Sequence, residues 1–80
     1  MEKVHFVGVG GASMSALAEL MLLWGAQVTG SDRVECPAFA RLREMGAEVY
    51  TGARRDIIAR AGIVVFSSAV PESDAELSLA

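Results

Sequence analysis

VHFVGVGGASMSALAEL, running from Val4 to Leu20, decides how this chain folds. A β-rich run from Val4 to Val9 leads into Gly8, Gly10 and Gly11, and a helix-like pattern opens directly after them. That order of strand, glycine turn and helix is what makes a glycine-rich motif informative. Without side chains the backbone turns sharply and lets phosphate oxygens come close to its amides. The helix N-terminus adds unpaired N–H donors and a partial positive charge of about half a unit. A strand-to-helix turn also needs glycine for geometry alone, but three glycines in four positions make an anion site the stronger expectation. Ser13 stands where a dinucleotide fingerprint carries its last glycine, so the identity of the nucleotide is open at this point.

Outward from this turn the pattern repeats. Three times a helix-like stretch ends on a glycine and a β-rich run follows: LLWGAQVTG around Gly25, REMGAEVYTG around Gly46 and ARAGIVVFSS around Gly62. Glycine closes helices because it takes the left-handed conformation freely. The runs Gln27 to Thr29, Glu48 to Thr51 and Ile63 to Phe66 are short and rich in β-branched or aromatic residues. Strict alternation of strand and helix implies parallel strands joined by right-handed crossovers, with helices on both faces of one sheet. The expected fold is α/β, a Rossmann-like doubly wound parallel sheet of about four strands in the order 3-2-1-4.

In the first helix, Met14, Leu17, Ala18, Met21 and Leu22 recur at helical spacing and are expected to cover the sheet. Leu20, Leu23 and Trp24 make a second apolar stripe, which either a neighbouring domain covers or Trp24 caps by folding back over the helix end; the second is the favoured expectation. The second helix starts after Pro37, suited to a first helical turn, and packs Ala38, Leu42 and Met45. The third presents Ile57, Ile58 and Ala61. A fourth is expected in SDAELSLA, where Ser73 and Glu76 form a capping box. No fifth strand follows it, so residues 1–80 read as one domain, cut before a fifth strand and part of something longer.

Composition sets limits on function. At 80 residues a chain buries about 60% of the surface its unfolded form exposes, so any core is small. A hydrophobic fraction of 52% and a mean hydropathy of +0.39, with no block of like charge, place it among globular chains. A net charge of -3 argues against broad nucleic-acid or anionic-membrane binding, which need clustered Lys and Arg. The sequence has neither an apolar run long enough to span a membrane nor a signal-peptide pattern, so the expected location is cytoplasmic. One cysteine, Cys36, and one histidine, His5, make no zinc constellation, and Cys36 lacks a basic partner that would make it a nucleophile.

Two further stretches belong at the carboxyl edge of the sheet with the glycine turn. Asp32, in TGSDR, lies 22 residues past Gly10 (32 minus 10), close to the spacing of about 20 at which an acidic residue meets a ribose hydroxyl. Its charge disfavours a 2'-phosphorylated cofactor, while Arg33 beside it can stack on a base or meet a phosphate. SSAVPES leaves the fourth strand, and in the order 3-2-1-4 the crevice between strands one and four is where ligands settle. Ser67 and Ser68 offer hydroxyls there. His5 sits inside the first strand, away from that edge, and reads as structural.

Taken together, HFVGVGGASMSALAE, GSD, LREMGAEVYTG and VVFSSAVP resemble, in order and spacing, the N-terminal domain of the Mur ligases of peptidoglycan synthesis. The resemblance covers essentially the whole chain, and its most specific parts are the GxGGxxMS turn and the SSA loop. It implies a domain that binds the UDP part of UDP-N-acetylmuramate. On that resemblance Gly8, Gly10, Gly11, Ala12, Ser13 and Met14 surround the diphosphate, Asp32 and Arg33 meet the uridine side, and Ser67, Ser68 and Ala69 line the opposite wall. Ser13 and Ala16 stand where the family usually has glycine, and both replacements are small.

The likeness falls nearest the alanine-adding branch of the family. For such an enzyme it implies ATP and Mg: ATP turns the substrate carboxylate into an acyl phosphate that an amino-acid amine attacks. That chemistry needs a P-loop and magnesium ligands, yet no glycine here is followed by Lys-Ser or Lys-Thr. The ATP-binding and C-terminal domains are therefore expected elsewhere in the same protein, with no cofactor and no catalytic residue in this segment. Two alternatives fit the same residues: a ligase that recycles cell-wall tripeptide, and the NAD-binding module of a dehydrogenase or regulatory protein.

Overall fold

In the computed structural model, residues 2–66 are described. Seven elements alternate along them: β1 Lys3–Val7, α1 Ala12–Leu23, β2 Gln27–Asp32, α2 Pro37–Glu44, β3 Glu48–Thr51, α3 Arg55–Arg60 and β4 Ile63–Phe66. All neighbouring strands pair in parallel, in the order β3-β2-β1-β4 expected from the sequence. Val4 lies beside Val28 and Ile63, and Val7 beside Ser31 and Phe66. The expected fourth helix at Ser73 and the loop at Ser67, Ser68 and Ala69 lie outside the described residues.

Side chains alternate across a pleated strand, and the two faces of this sheet differ in chemistry. On one face Val4, Phe6, Val28 and Val49 meet Ala18 of α1 and Phe39 and Leu42 of α2 in a single apolar cluster, with Phe6, Phe39 and Leu42 fully buried. On the other, α3 buries Ile57 and Ile58 and packs on β1. That second face is partly polar. His5 is fully buried there, its Nδ1 2.7 Å from Thr29 Oγ1 and its ring stacked on Tyr50 at 6.0 Å, so it is a satisfied structural residue.

The helix ends show what glycine does and where it does nothing of the kind. α1 and α2 both close through a Schellman arrangement: Ala26 N–H donates to Met21 O at 3.0 Å and Gly25 N–H to Leu22 O at 3.0 Å, repeated as Ala47 to Leu42 at 2.9 Å and Gly46 to Arg43 at 3.0 Å. Gly25 and Gly46 take the positive φ this requires, +92° and +100°. Gly62 departs from the expectation. α3 ends in an extended Ala61, and the Gly62 N–H donates to Lys3 O at 2.8 Å, so this glycine starts the pairing of β4 instead of closing a helix.

Three other expectations change, the first at Leu17, which is 40% exposed and does not cover the sheet. Trp24 does not fold back: it is 73% exposed and Leu23 is 74% exposed, because the tight turn at Gly25 carries the chain down toward β2 and leaves the side chain before it outside. The main anchor of α2 is Phe39, with Ala38 and Met45 only half-buried. Exposed ion pairs tie elements together, including Arg41 to Glu19 between α2 and α1 at 3.3 Å and Arg54 to Glu48 at 3.0 Å.

Truncating Leu42→Ala is expected to lower stability by about 2–5 kcal/mol, a large part of what so small a domain has; chemical denaturation checks this. Arg54 donates to Asp56 at 2.9 Å and holds that carboxyl below its ordinary 3.8, with Arg60 adding to the pull. A carboxyl depressed in the folded state contributes stability near neutral pH that is lost as pH falls through its folded value. Asp56→Asn is therefore expected to lower the melting temperature slightly near neutral pH, with the gap closing below pH 3.8 in a pH series of thermal melts.

Candidate functional site

At the carboxyl edge of the sheet, β1 runs into the turn Gly8–Gly11. Gly8 takes φ +82°, which bends the chain back over the end of β2. The Ser31 carbonyl then accepts two N–H groups, from Gly8 at 2.8 Å and Val9 at 2.9 Å. Val9 drops into the sheet, fully buried, against Gly30, where any β-carbon would lie 2.8 Å from the Val9 side chain. Gly10 N–H donates to Asp32 Oδ2 at 2.8 Å, and Gly11 N–H to Gly8 O at 3.2 Å.

All four amides of the turn are thus occupied within the chain. The next three are not: among the described residues the N–H groups of Ala12, Ser13 and Met14 have no hydrogen-bond partner, and no side chain caps the helix. Ser15 N–H already donates to Gly11 O at 2.8 Å, so the helical ladder begins there. An α-helix leaves its first N–H groups unpaired, and no acidic side chain occupies this first turn to compete for them. Ala12 and Ser13 are exposed and Met14 is half-buried under the helix. Among the described residues a β-carbon on Gly11 would meet nothing nearer than Gly8 O at 3.7 Å.

Asp32 ends β2, half-buried beside the turn, and its second oxygen accepts the Arg33 N–H at 2.7 Å. Arg33 itself is exposed. Cys36 packs against Gly10, so closely that a β-carbon there would collide with its sulfur. Its thiol donates to Val34 O at 3.2 Å and is pushed above its ordinary 9.0 by burial first, then by the charges of Asp32 and Glu35. The thiol therefore stays protonated at neutral pH and serves as packing, not as a nucleophile.

The structure therefore brings together Gly8, Gly10, Gly11, Ala12, Ser13, Met14, Asp32 and Arg33 at one edge, while Ser67, Ser68 and Ala69 lie outside the described residues. Sequence reasoning missed three supports of the turn: the Ser31 carbonyl, the Cys36 side chain and Gly30. Only Gly30 had a readable signal, since glycine inside a strand marks a close approach. A groove of about 140 Å³ lined by Lys3, Gln27, Thr29, Glu48 and Arg60 lies at the opposite, amino-terminal edge and shares no residue with this site. Among the described residues no three His, Cys, Asp or Glu side chains are grouped to hold a metal, and no helix is long and apolar enough to cross a membrane.

Comparison with known proteins bears on the family and the fold. The Mur ligase family, catalytic domain, matches residues 3–80. The chain is 46% identical over 76 residues to the UDP-N-acetylmuramate--L-alanine ligase of Clostridium acetobutylicum, covering 95% of this chain and 17% of that enzyme. To the ligase of the same name from Clostridium tetani it is 41% identical over 80 residues, covering all of this chain and 18% of the relative. Among solved structures it superposes on the UDP-N-acetylmuramate-alanine ligase of Thermotoga maritima with a TM-score of 0.88 and 32% identity, over 98% of this chain and 18% of that one. A murein peptide ligase from Psychrobacter arcticus gives a TM-score of 0.85 at 25% identity, over 98% and 17%. The chain spans less than a fifth of each of these four relatives. With nearly its whole length matched at this level, the chain belongs to the Mur ligase family.

Proposed function

We propose that this chain binds the UDP end of UDP-N-acetylmuramate as the N-terminal domain of an ATP-dependent ligase that adds L-alanine to the substrate's carboxylate in peptidoglycan synthesis, in the cytoplasm. The observation that carries this reading is the row of three amides, Ala12 to Met14, unpaired among the described residues and beside Asp32. In a chain of this family, such a row suits a diphosphate. Ser67, Ser68 and Ala69 are proposed as the facing wall, and Arg33 as a contact on the uridine side. Among solved structures, identity of 32% to the alanine-adding ligase against 25% to two murein peptide ligases favours that branch.

ATP and magnesium would serve the phosphorylation of the carboxylate to an acyl phosphate, and the residues of this chain do not fit them: no Gly-Lys-Ser or Gly-Lys-Thr is present in the sequence. Those groups are proposed to belong to regions of the ligase beyond the fifth that this chain spans. What residues 1–80 contribute is hold on the end of the substrate remote from the reacting carboxylate. Binding energy gained there positions the carboxylate for reaction, lowering the barrier without touching the reacting atoms. The chain alone is expected to catalyse nothing.

Calorimetric titration with UDP-N-acetylmuramate, UDP and NAD is expected to give saturable binding to both uridine ligands and none to NAD; the reverse pattern would overturn the reading in favour of a dinucleotide module. Ser13 is the second residue of α1, exposed, and its own amide is one of the three in the row. If that hydroxyl donates to the diphosphate, Ser13→Gly weakens UDP by about threefold to tenfold; unchanged affinity in the same titration assigns Ser13 no more than a tolerated place.

A further inference from the structure

Asp32 is engaged before any ligand arrives. Its Oδ2 accepts the Gly10 N–H at 2.8 Å across 22 residues of sequence, and its Oδ1 accepts the Arg33 N–H at 2.7 Å, which fixes the plane of the carboxylate. Gly10 is clamped from the same side, since a β-carbon there would lie 2.7 Å from Asp32 Oδ2 and collide with the Cys36 sulfur. Gly10 precedes the first residue of α1 by two positions. The orientation of its peptide therefore sets where Gly11 goes and how the first turn of the helix is aimed. Hydrogen bonds from N–H to a charged carboxylate are about twice as strong as neutral ones, so this contact is suited to fixing that orientation.

Resting on the UDP reading above, we propose that Asp32 is a positioning residue for the diphosphate. It acts through the Gly10 N–H to hold the amides of Ala12, Ser13 and Met14 in their receiving direction. A carboxylate offers about four acceptor positions, of which two are used among the described residues. A ribose hydroxyl can still be met by the others, but the latch on the turn exists without it. The two duties separate by ligand chemistry, because inorganic pyrophosphate carries the diphosphate and no ribose.

The test uses the whole 80-residue chain, isotopically labelled, with UDP and pyrophosphate as probes. In the unliganded wild type a scalar coupling across the hydrogen bond is expected between the Gly10 nitrogen and the Asp32 side-chain carboxyl carbon. Gly10 amide exchange is expected to speed up at least about tenfold in Asp32→Ala. Asp32→Asn keeps an acceptor oxygen and restores most of that protection. Asp32→Ala is expected to bind pyrophosphate and UDP about tenfold more weakly than Asp32→Asn does, in parallel. No coupling in the wild type overturns the proposal, as does pyrophosphate affinity equal in the Ala and Asn variants. If Asp32→Ala does not fold, the wild-type coupling and the protection of Gly10 in Asp32→Asn decide the outcome. UDP binding with the coupling missing sinks the positioning role alone. A coupling present in a chain that binds neither probe overturns the UDP reading and reduces the contact to a structural one.

Discussion

One carbonyl organises this edge of the molecule. Ser31 O accepts both Gly8 and Val9 N–H, and this fork carries the pairing of β1 with β2 one step past the last regular partner, Val7. Leaving a buried backbone donor unpaired costs about 1–3 kcal/mol, so a turn packed against the sheet satisfies its own amides first. The consequence is a division of labour along Gly8 to Met14. The glycines hold the turn closed, and the first exposed donors appear only where the helix begins.

The sheet is asymmetric in the same spirit. Beneath α1 and α2 lies an apolar layer centred on Phe6, Phe39 and Leu42, while the α3 side carries His5, Thr29 and Tyr50. Parallel strands covered on both faces usually read as continuous apolar runs. Here β2, QVTGSD, alternates instead, because half its residues face this polar layer and Gly30 yields its space to Val9. His5 is compatible with complete burial because Thr29 stands directly beside it in the strand register and supplies a partner.

The elements and their order were legible because each rests on local chemistry: β-branched runs, glycine at helix ends, proline at a helix start. Strand order followed from the doubly wound pattern that strict alternation of strand and helix implies. What could not be read were features set by neighbours distant in sequence. Gly62 resembles Gly25 and Gly46 in context, yet the Lys3 carbonyl across the sheet claims its N–H. Phe39 looked no more central than Ala38 until both helices were laid on one face. At the site, the residue types and their shared edge were legible from spacing. The assignment of each amide was not, since backbone atoms leave no trace in a residue pattern: the glycines proved to be bonded inward, and Asp32 outward to Gly10.

The exposed end of α1 has a practical corollary. Trp24 is the sole tryptophan, and it stands roughly 18 Å along the helix from Ala12, at the far end from the open amides. Largely in water, it should emit as a solvated indole, and on the proposed function its fluorescence should be nearly silent to a ligand at the turn. The same property makes it a selective reporter for whatever comes to rest on Leu20, Leu23 and Trp24. A blue shift would signal coverage of that stripe, a channel of information independent of ligand occupancy.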